Sequence, residues 1–297
     1  MRAPAEAARP LGVRPARPAW RPSRLELFVL AYLALTGAVP LAAALVQLAR
    51  TSPADTWRAI TAPAAVAAMS LSVKVALLAA ALNVPLGLLV AWVLGRYRFP
   101  GRRLLDALVD LPLAIPGVVA GISFMSLFGP AGKVGRAVGA AFAPGGLLAW
   151  TGLDAPRLVG TRVGLVLAGL YVTLPFVVRT VQPVVIALDR EAEEAAHVLG
   201  ASALQRFVRV ILPELAPAVA AGFGLAFARS MNEYGVAVLV SGNVAYETLV
   251  APVYVYQRVE GFDFAGATGV AATLLALSLA VLGATHAVQR RSARHVA

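Results

Sequence analysis

The chain has 297 residues, 59% hydrophobic and only 14% charged, with a mean hydropathy of +0.77. A soluble domain is about 45–50% apolar and about 25% charged, and one core of this length could not hide the surplus, so a water-soluble globule is excluded. Cysteine is absent, which excludes disulfides and thiolate chemistry, and the formal charge of +11 points to an anionic membrane surface or nucleic acid.

Residues 1–24 form a basic, Pro/Arg-rich tail with six arginines and one acid, Glu6. The first apolar run, Leu25–Ala49, is too long for the core of a secretory signal and is soon followed by another, so a retained helix is the better reading. Five prolines among the first 24 residues oppose an amphipathic presequence. Further apolar runs fall at Ala64–Leu94, Leu104–Leu127, Val163–Leu188, Leu215–Ser241 and Ala265–Val288. Each can cross about 30 Å of hydrocarbon at 1.5 Å per residue and is apolar on all sides. The fold class expected is an all-α polytopic membrane protein with six transmembrane helices over 25–288, ending in a second basic tail at 289–297.

The connections orient these helices. Residues 1–24, 95–103, 189–214 and 289–297 hold 16 Lys/Arg, against 7 in 50–63, 128–162 and 242–264. By the positive-inside rule both termini are expected in the cytoplasm and 128–162 outside. The two tails and the 95–103 connection alone carry +12, leaving −1 for the rest. The charge is therefore not a nucleic-acid footprint.

Ionisable residues within spans are costly and are functional candidates by default. Lys74 is expected near a span end. Asp106 and Asp110 follow Arg102 and Arg103, and the i,i+4 spacing of Arg102 and Asp106 reads as local charge balance. Arg179, between Pro175 and Pro183, either snorkels to the cytoplasm or faces the interior. Arg229 and Glu233 are also four apart: they lock a helix end, or Arg229 helps an anion through while Glu233 holds it or completes a gate. Pro85, Pro112, Pro116 and Pro175 invite kinks, which can expose backbone donors to an anionic cargo. A cargo that must be released suits neutral donors better than a deep, strongly charged pocket.

The connection Asp189–Pro213 carries the most pattern. Ala192, Ala195, Ala196 and Leu199 share one helical face, Asp189 can cap the start, and Gly200 can end the helix in the left-handed conformation. Ser202 and Gln205 form a capping-box pattern for a second helix with Leu204, Phe207, Val208 and Ile211 on one face, expected to stop at Pro213. A DNA-binding helix-turn-helix has a similar local pattern, and an interfacial loop is another reading. A tight connection between two spans with few basic residues favours a docking element for a partner.

Glu194-Ala195-Ala196, then three residues, Gly200, nine residues, Val210, one residue, and Leu212-Pro213 resemble the EAA motif of ABC-transporter permeases, with Val210 where the motif has isoleucine. The resemblance covers roughly residues 65–285. Arg96–Ser123, Leu174–Val185, Ala228–Asn243 and Phe262–Ala271 are similar to the T-type subunit of sulfate/thiosulfate permeases, although Asn232 stands where glycine is expected before Glu-Tyr-Gly. It implies a type I ABC importer permease fold whose cytoplasmic EAA coupling helices, through Glu194, Ala195, Ala196, Gly200, Leu212 and Pro213, dock to an ATPase. Arg229, Glu233, Tyr234 and Arg179 are the candidates for the translocation pathway.

The partners implied are a homologous second permease (W-type), an ABC ATPase dimer and a periplasmic or lipid-anchored sulfate-binding protein, in a bacterial inner membrane and with no nucleic acid. No G-x-x-x-x-G-K-[ST] loop occurs, so ATP and Mg are assigned to the ATPase and no cofactor or metal to this chain. Molybdate or tungstate import is the nearest alternative. A membrane-embedded enzyme on lipid or cell-wall precursors would need converging acids or histidines, and an autonomous ion-coupled transporter would need no ATPase.

Overall fold

A computed structural model describes residues 23–151 and 154–293, and no described residue lies in a strand. The basic segment 1–22 and residues 294–297, to which orientation was assigned, lie outside the described residues. The chain divides into two compact units, one ending at Gln47 and one beginning at Leu48.

In the first unit the apolar run expected as span one is helical. Helix α1 (Arg24–Leu33) opens on a capping box, with the Glu26 N–H donating to Ser23 Oγ at 3.2 Å and the Ser23 N–H to Glu26 Oε2 at 2.6 Å. It passes through a π-helical turn, Ala34–Ala38, into α2 (Val39–Arg50), which continues into the second unit. The turn sits two residues before Pro40, whose missing N–H cannot join an i→i−4 ladder, so the wider turn absorbs the defect.

The second unit begins with the short α3 (Pro53–Thr61), capped by Ser52, and α4 (Pro63–Arg96), which carries Pro85 without breaking. The 34 residues of α4 make a rod of about 51 Å. Its C-terminal half crosses α8 (Arg162–Ala187) over glycines. A Cβ on Gly87 would lie 2.6 Å from Val177 Cγ1, and one on Gly95 would lie 2.7 Å from Val185 Cγ1. Small residues let backbones approach where lipid supplies no hydrophobic drive between helices. The same Val177 is met from the other side by Gly222 of α11 (Leu212–Met231), so α4, α8 and α11 share a core in which Ala76, Ala80, Val177, Val178 and Val181 are fully buried. Asn83 is buried there too and donates to Leu170 O at 3.0 Å and Thr173 Oγ1 at 2.7 Å.

Two expected spans are interrupted. The run Leu104–Leu127 is two helices, α5 (Arg102–Ala114) and α6 (Gly117–Phe128), because Ile115 is extended (φ −88°, ψ 128°) ahead of Pro116. A proline disfavours the helical region for the residue before it. Pro112, one turn earlier, stays inside α5. The run Leu215–Ser241 ends early, at Met231, and resumes only as the single turn α12 (Ala237–Val240) after Glu233-Tyr234-Gly235. The 128–162 connection contains α7 (Lys133–Phe142) and a 3-10 turn at Ala149–Thr151. The loop helices α9 (Arg190–Val198) and α10 (Ala203–Arg206) precede α11, and α13 (Ala251–Glu260) leads to the terminal α14 (Phe264–Ala293). Helix α14 packs on α11 at Gly224, where a Cβ would sit 2.6 Å from Thr285 Oγ1.

Among the described residues five stretches are long and apolar enough to cross a membrane: Pro63–Arg96, Gly117–Phe142, Arg162–Ala187, Ala203–Met231 and Phe264–Ala287. The protein is an all-α, multi-pass membrane protein.

Candidate coupling loop and pathway residues

The coupling loop folds by local chemistry. Asp189 accepts from the Glu191 N–H at 2.9 Å and starts α9; Glu191 and Glu193 lie in its first turn, at the positive end of the dipole. Gly200 ends it at φ +82°, and nothing lies within 4 Å of where its Cβ would stand. The Ser202 capping box is complete, with Ser202 N–H donating to Gln205 Oε1 at 2.8 Å and Gln205 N–H to Ser202 Oγ at 3.3 Å.

The second helix does not stop at Pro213. A π turn, Phe207–Ile211, joins α10 directly to α11, with Pro213 in the first turn of α11, so the loop and the fifth apolar stretch are one rod. This is the arrangement seen at Pro40: an i→i+5 turn two residues ahead of a proline that cannot donate. Leu212 is half-buried and Pro213 exposed.

The loop is fastened to α4 by residues whose sequence context gave no such hint. Arg96 forms an ion pair with Glu193, both side chains largely buried, while its guanidinium lies over the Trp92 ring at 5.1 Å from the centroid. Trp92 in turn meets Phe207 edge-on at 6.4 Å. Trp92, Arg96 and Glu193, together with Glu194, His197 and Arg206, line a groove of about 310 Å³. Beyond it, Val198, Leu199 and Leu204 are 85%, 86% and 71% exposed, an apolar tip that no described residue covers. Glu194 and Ala195 are exposed and Ala196 half-buried on the same loop.

Arg179 is half-buried and turned onto α5, into a set of hydrogen bonds. It donates through Nε and Nη2 to both carboxylate oxygens of Asp110 at 2.7 and 2.6 Å, through Nη1 to Asp106 Oδ1 at 2.6 Å and Gln182 Oε1 at 2.7 Å, and through Nη2 to Asp106 O at 2.8 Å. The charge of Arg102 still acts on Asp106, as its i,i+4 spacing implies, but the contacts of Asp106 are made to Arg179 in a clamp between α5 and α8. A bidentate guanidinium with two carboxylates outcompetes one flexible i,i+4 partner. Arg179 has no donor left for a cargo.

Arg229 and Glu233 do pair, at 2.5 Å, but across the end of α11. Glu233 is buried, and its Oε1 accepts from Val236 N–H at 3.0 Å, which shapes the turn into α12. That turn is pressed onto the start of α6: a Cβ on Gly235 would lie 3.0 Å from the Gly117 backbone, and one on Gly117 would lie 3.0 Å from Glu233 Oε1. The carboxylate thus sits at the positive end of a broken helix. Arg229 remains 40% exposed. Tyr234 meets Tyr256 of α13 in a tilted ring contact, 5.0 Å between centroids and 44° between planes. Asn232 donates to Ala228 O at 2.8 Å and to Ser278 Oγ at 3.1 Å, which ties the end of α11 to α14. Among the described residues no group of His, Asp and Glu is placed to hold a metal ion.

Comparison with known proteins agrees with this layout. Residues 83–294 match the family described as binding-protein-dependent transport system inner membrane component. The chain is 41% identical over 267 residues to the sulfate transport system permease protein CysT of Escherichia coli K12, covering 90% of this chain and 92% of that one. It is 42% identical over 260 residues to the probable sulfate transport system permease protein cysT of Nephroselmis olivacea, covering 88% and 87%. The fold is shared with a chain of a bacterial ABC transporter that imports the acidic polysaccharide alginate, with a TM-score of 0.70 at 18% identity over 90% of this chain and 94% of that one. The all-helical fold expected from the sequence is thus shared with a chain of an ABC importer over nearly the full length. The chain belongs to the family of binding-protein-dependent transport system inner membrane components, and within it is a CysT-like permease.

Proposed function

We propose that this permease carries sulfate or thiosulfate inward across a bacterial inner membrane, as one half of a pore completed by a homologous W-type permease. The observation that carries this reading is identity above 40% to sulfate permeases along about nine-tenths of both chains. Six spans are inferred, the first over Arg24–Arg50, with both termini cytoplasmic. ATP and Mg bind a partner ATPase dimer, and a periplasmic or lipid-anchored binding protein delivers the anion.

Glu194, Ala195, Ala196, Gly200, Leu212 and Pro213 form the ATPase-coupling element, and the exposed apolar tip at Val198, Leu199 and Leu204 is the surface the ATPase covers. Arg96 and Glu193 hold that element on α4. Of the pathway candidates, Arg229 has exposed donor surface to meet the anion, Glu233 and Tyr234 shape the turn beside it, and Arg179 is a strut between α5 and α8.

The test is uptake in vesicles holding this permease, its W-type partner, the ATPase and the binding protein. Labelled sulfate or thiosulfate should accumulate only with ATP inside. Accumulation of molybdate in place of sulfate would overturn the substrate, and uptake by this chain without any ATPase would overturn the mechanism.

A further inference from the structure

A second cationic site lies away from the Arg229–Glu233 turn and is built around Lys74. Lys74, on the exposed side of α4, has no hydrogen bond or ion pair among the described residues, although α4 is an apolar spanning helix. It lines a cavity of about 330 Å³ together with Arg162, Ser70 and Tyr246, and no carboxylate is among the lining residues. Arg162 is the first residue of α8, so the cavity sits where that helix enters the bundle, at the end opposite the Arg96–Glu193 fastening. Lys74 lies eleven residues into α4 and twenty-two before Arg96, about 33 Å from the coupling end. That places the cavity at the external mouth when the coupling loop is cytoplasmic.

The cavity is built, not incidental. Arg162 Nε donates to Glu247 O at 2.9 Å, which fixes the guanidinium while its two terminal nitrogens make no hydrogen bond to the described residues. The loop that supplies Tyr246 is held by Ser241, Asn243 and Thr248: Asn243 Nδ2 donates to Val238 O at 2.8 Å, Ser241 Oγ to Asn243 Oδ1 at 2.6 Å, and Val244 N–H to Thr248 Oγ1 at 3.1 Å. Tyr246 itself sits at φ +66°, a costly conformation for a bulky side chain, retained where surrounding contacts over-determine it. Two cations and two hydroxyls therefore converge on one open space with no internal counter-charge.

We propose that Lys74, Arg162, Ser70 and Tyr246 form an external receiving site for a tetrahedral oxyanion dianion, where the cargo first leaves the binding protein. This rests on the proposed sulfate function. Two charges balance the dianion, while the open setting keeps the attraction weak enough for onward release.

The test compares Lys74→Gln, Arg162→Gln and Lys74→Arg in the full reconstituted transporter, using labelled sulfate delivered by its binding protein. Each glutamine variant should lower initial uptake at least tenfold, with complex recovered in normal amount and the substrate-free binding protein still docking normally. Lys74→Arg should restore uptake to within twofold of the parent. Uptake within twofold for both glutamine variants would overturn the site while leaving the sulfate function standing. Loss of complex, or loss of binding-protein docking, would assign these cations to protein contact and overturn the site as well. A parent transporter that takes up no sulfate or thiosulfate would remove both readings together.

Discussion

Gly200 has a left-handed backbone but empty space around its missing side chain, and these two facts separate two kinds of damage. Any L-residue there costs roughly 1–2 kcal/mol of backbone strain. The Cβ of alanine adds no clash to that strain, because no atom lies within 4 Å of its position. Gly200→Ala should therefore cost the loop only the strain, whereas Gly200→Trp should insert into the membrane normally yet lose ATPase association and uptake. Co-purification of the ATPase measures the difference, and equal retention by both variants would remove Gly200 from the docking surface. Arg179 illustrates the opposite case. The sequence shows one arginine between two prolines, and nothing local distinguishes a pore-lining cation from a strut. Its two carboxylate partners lie some seventy residues earlier, so only the packing of α5 on α8 reveals the clamp.

At the level of elements, the α4–α8 crossing depends on hydrogen in place of methyl at Gly87. Alanine would gain about 1 kcal/mol of helix propensity. It would also drive a Cβ to 2.6 Å from Val177 Cγ1 and 2.8 Å from Val177 Cβ, and a buried β-branched side chain cannot swing away. Overpacking of this kind typically costs 1–3 kcal/mol, so it should outweigh the propensity gain. Gly87→Ala should lower the thermal midpoint of the detergent-solubilised protein, and Gly87→Ala with Val177→Ala should recover most of the loss. Failure of the second change to rescue would mean the crossing is not set by this contact. Elements were legible from sequence where their ends are determined locally. Asp189, Gly200 and the Ser202–Gln205 pair each cap through atoms within a few residues, and each is used as the pattern implies. The break after Ala114 falls where Pro116 reads only as a kink, and the break after Met231 falls at Asn232-Glu233, which read as polar residues within a longer apolar run. Pro213 shows the reverse, an expected stop that is none: a wider turn upstream lets the helix continue, as one does ahead of Pro40 within the run read as a single helix.

For the whole molecule, the absence of cysteine turns into a tool, because any single cysteine introduced is the only thiol present. With intact spheroplasts and a membrane-impermeant maleimide, Asp154→Cys should label and Ala203→Cys should label only after lysis. The reverse pattern would invert the proposed orientation, and with it the placement of the receiving cavity outside. The distribution of Lys and Arg is what the proposed orientation rests on, whereas no pattern in the sequence marks a route between the two faces. One further consequence follows from the continuity of α10 and α11 through the π turn. The 29 residues Ala203–Met231 form a lever about 43 Å long. A tilt of about 10° about its cytoplasmic end would carry the end bearing Arg229 sideways by about 7 Å, given that rise per residue. The π turn Phe207–Ile211 lies at the foot of that lever, so in the proposed coupling an ATPase stroke would have to pass through it to reach the Arg229–Glu233 turn.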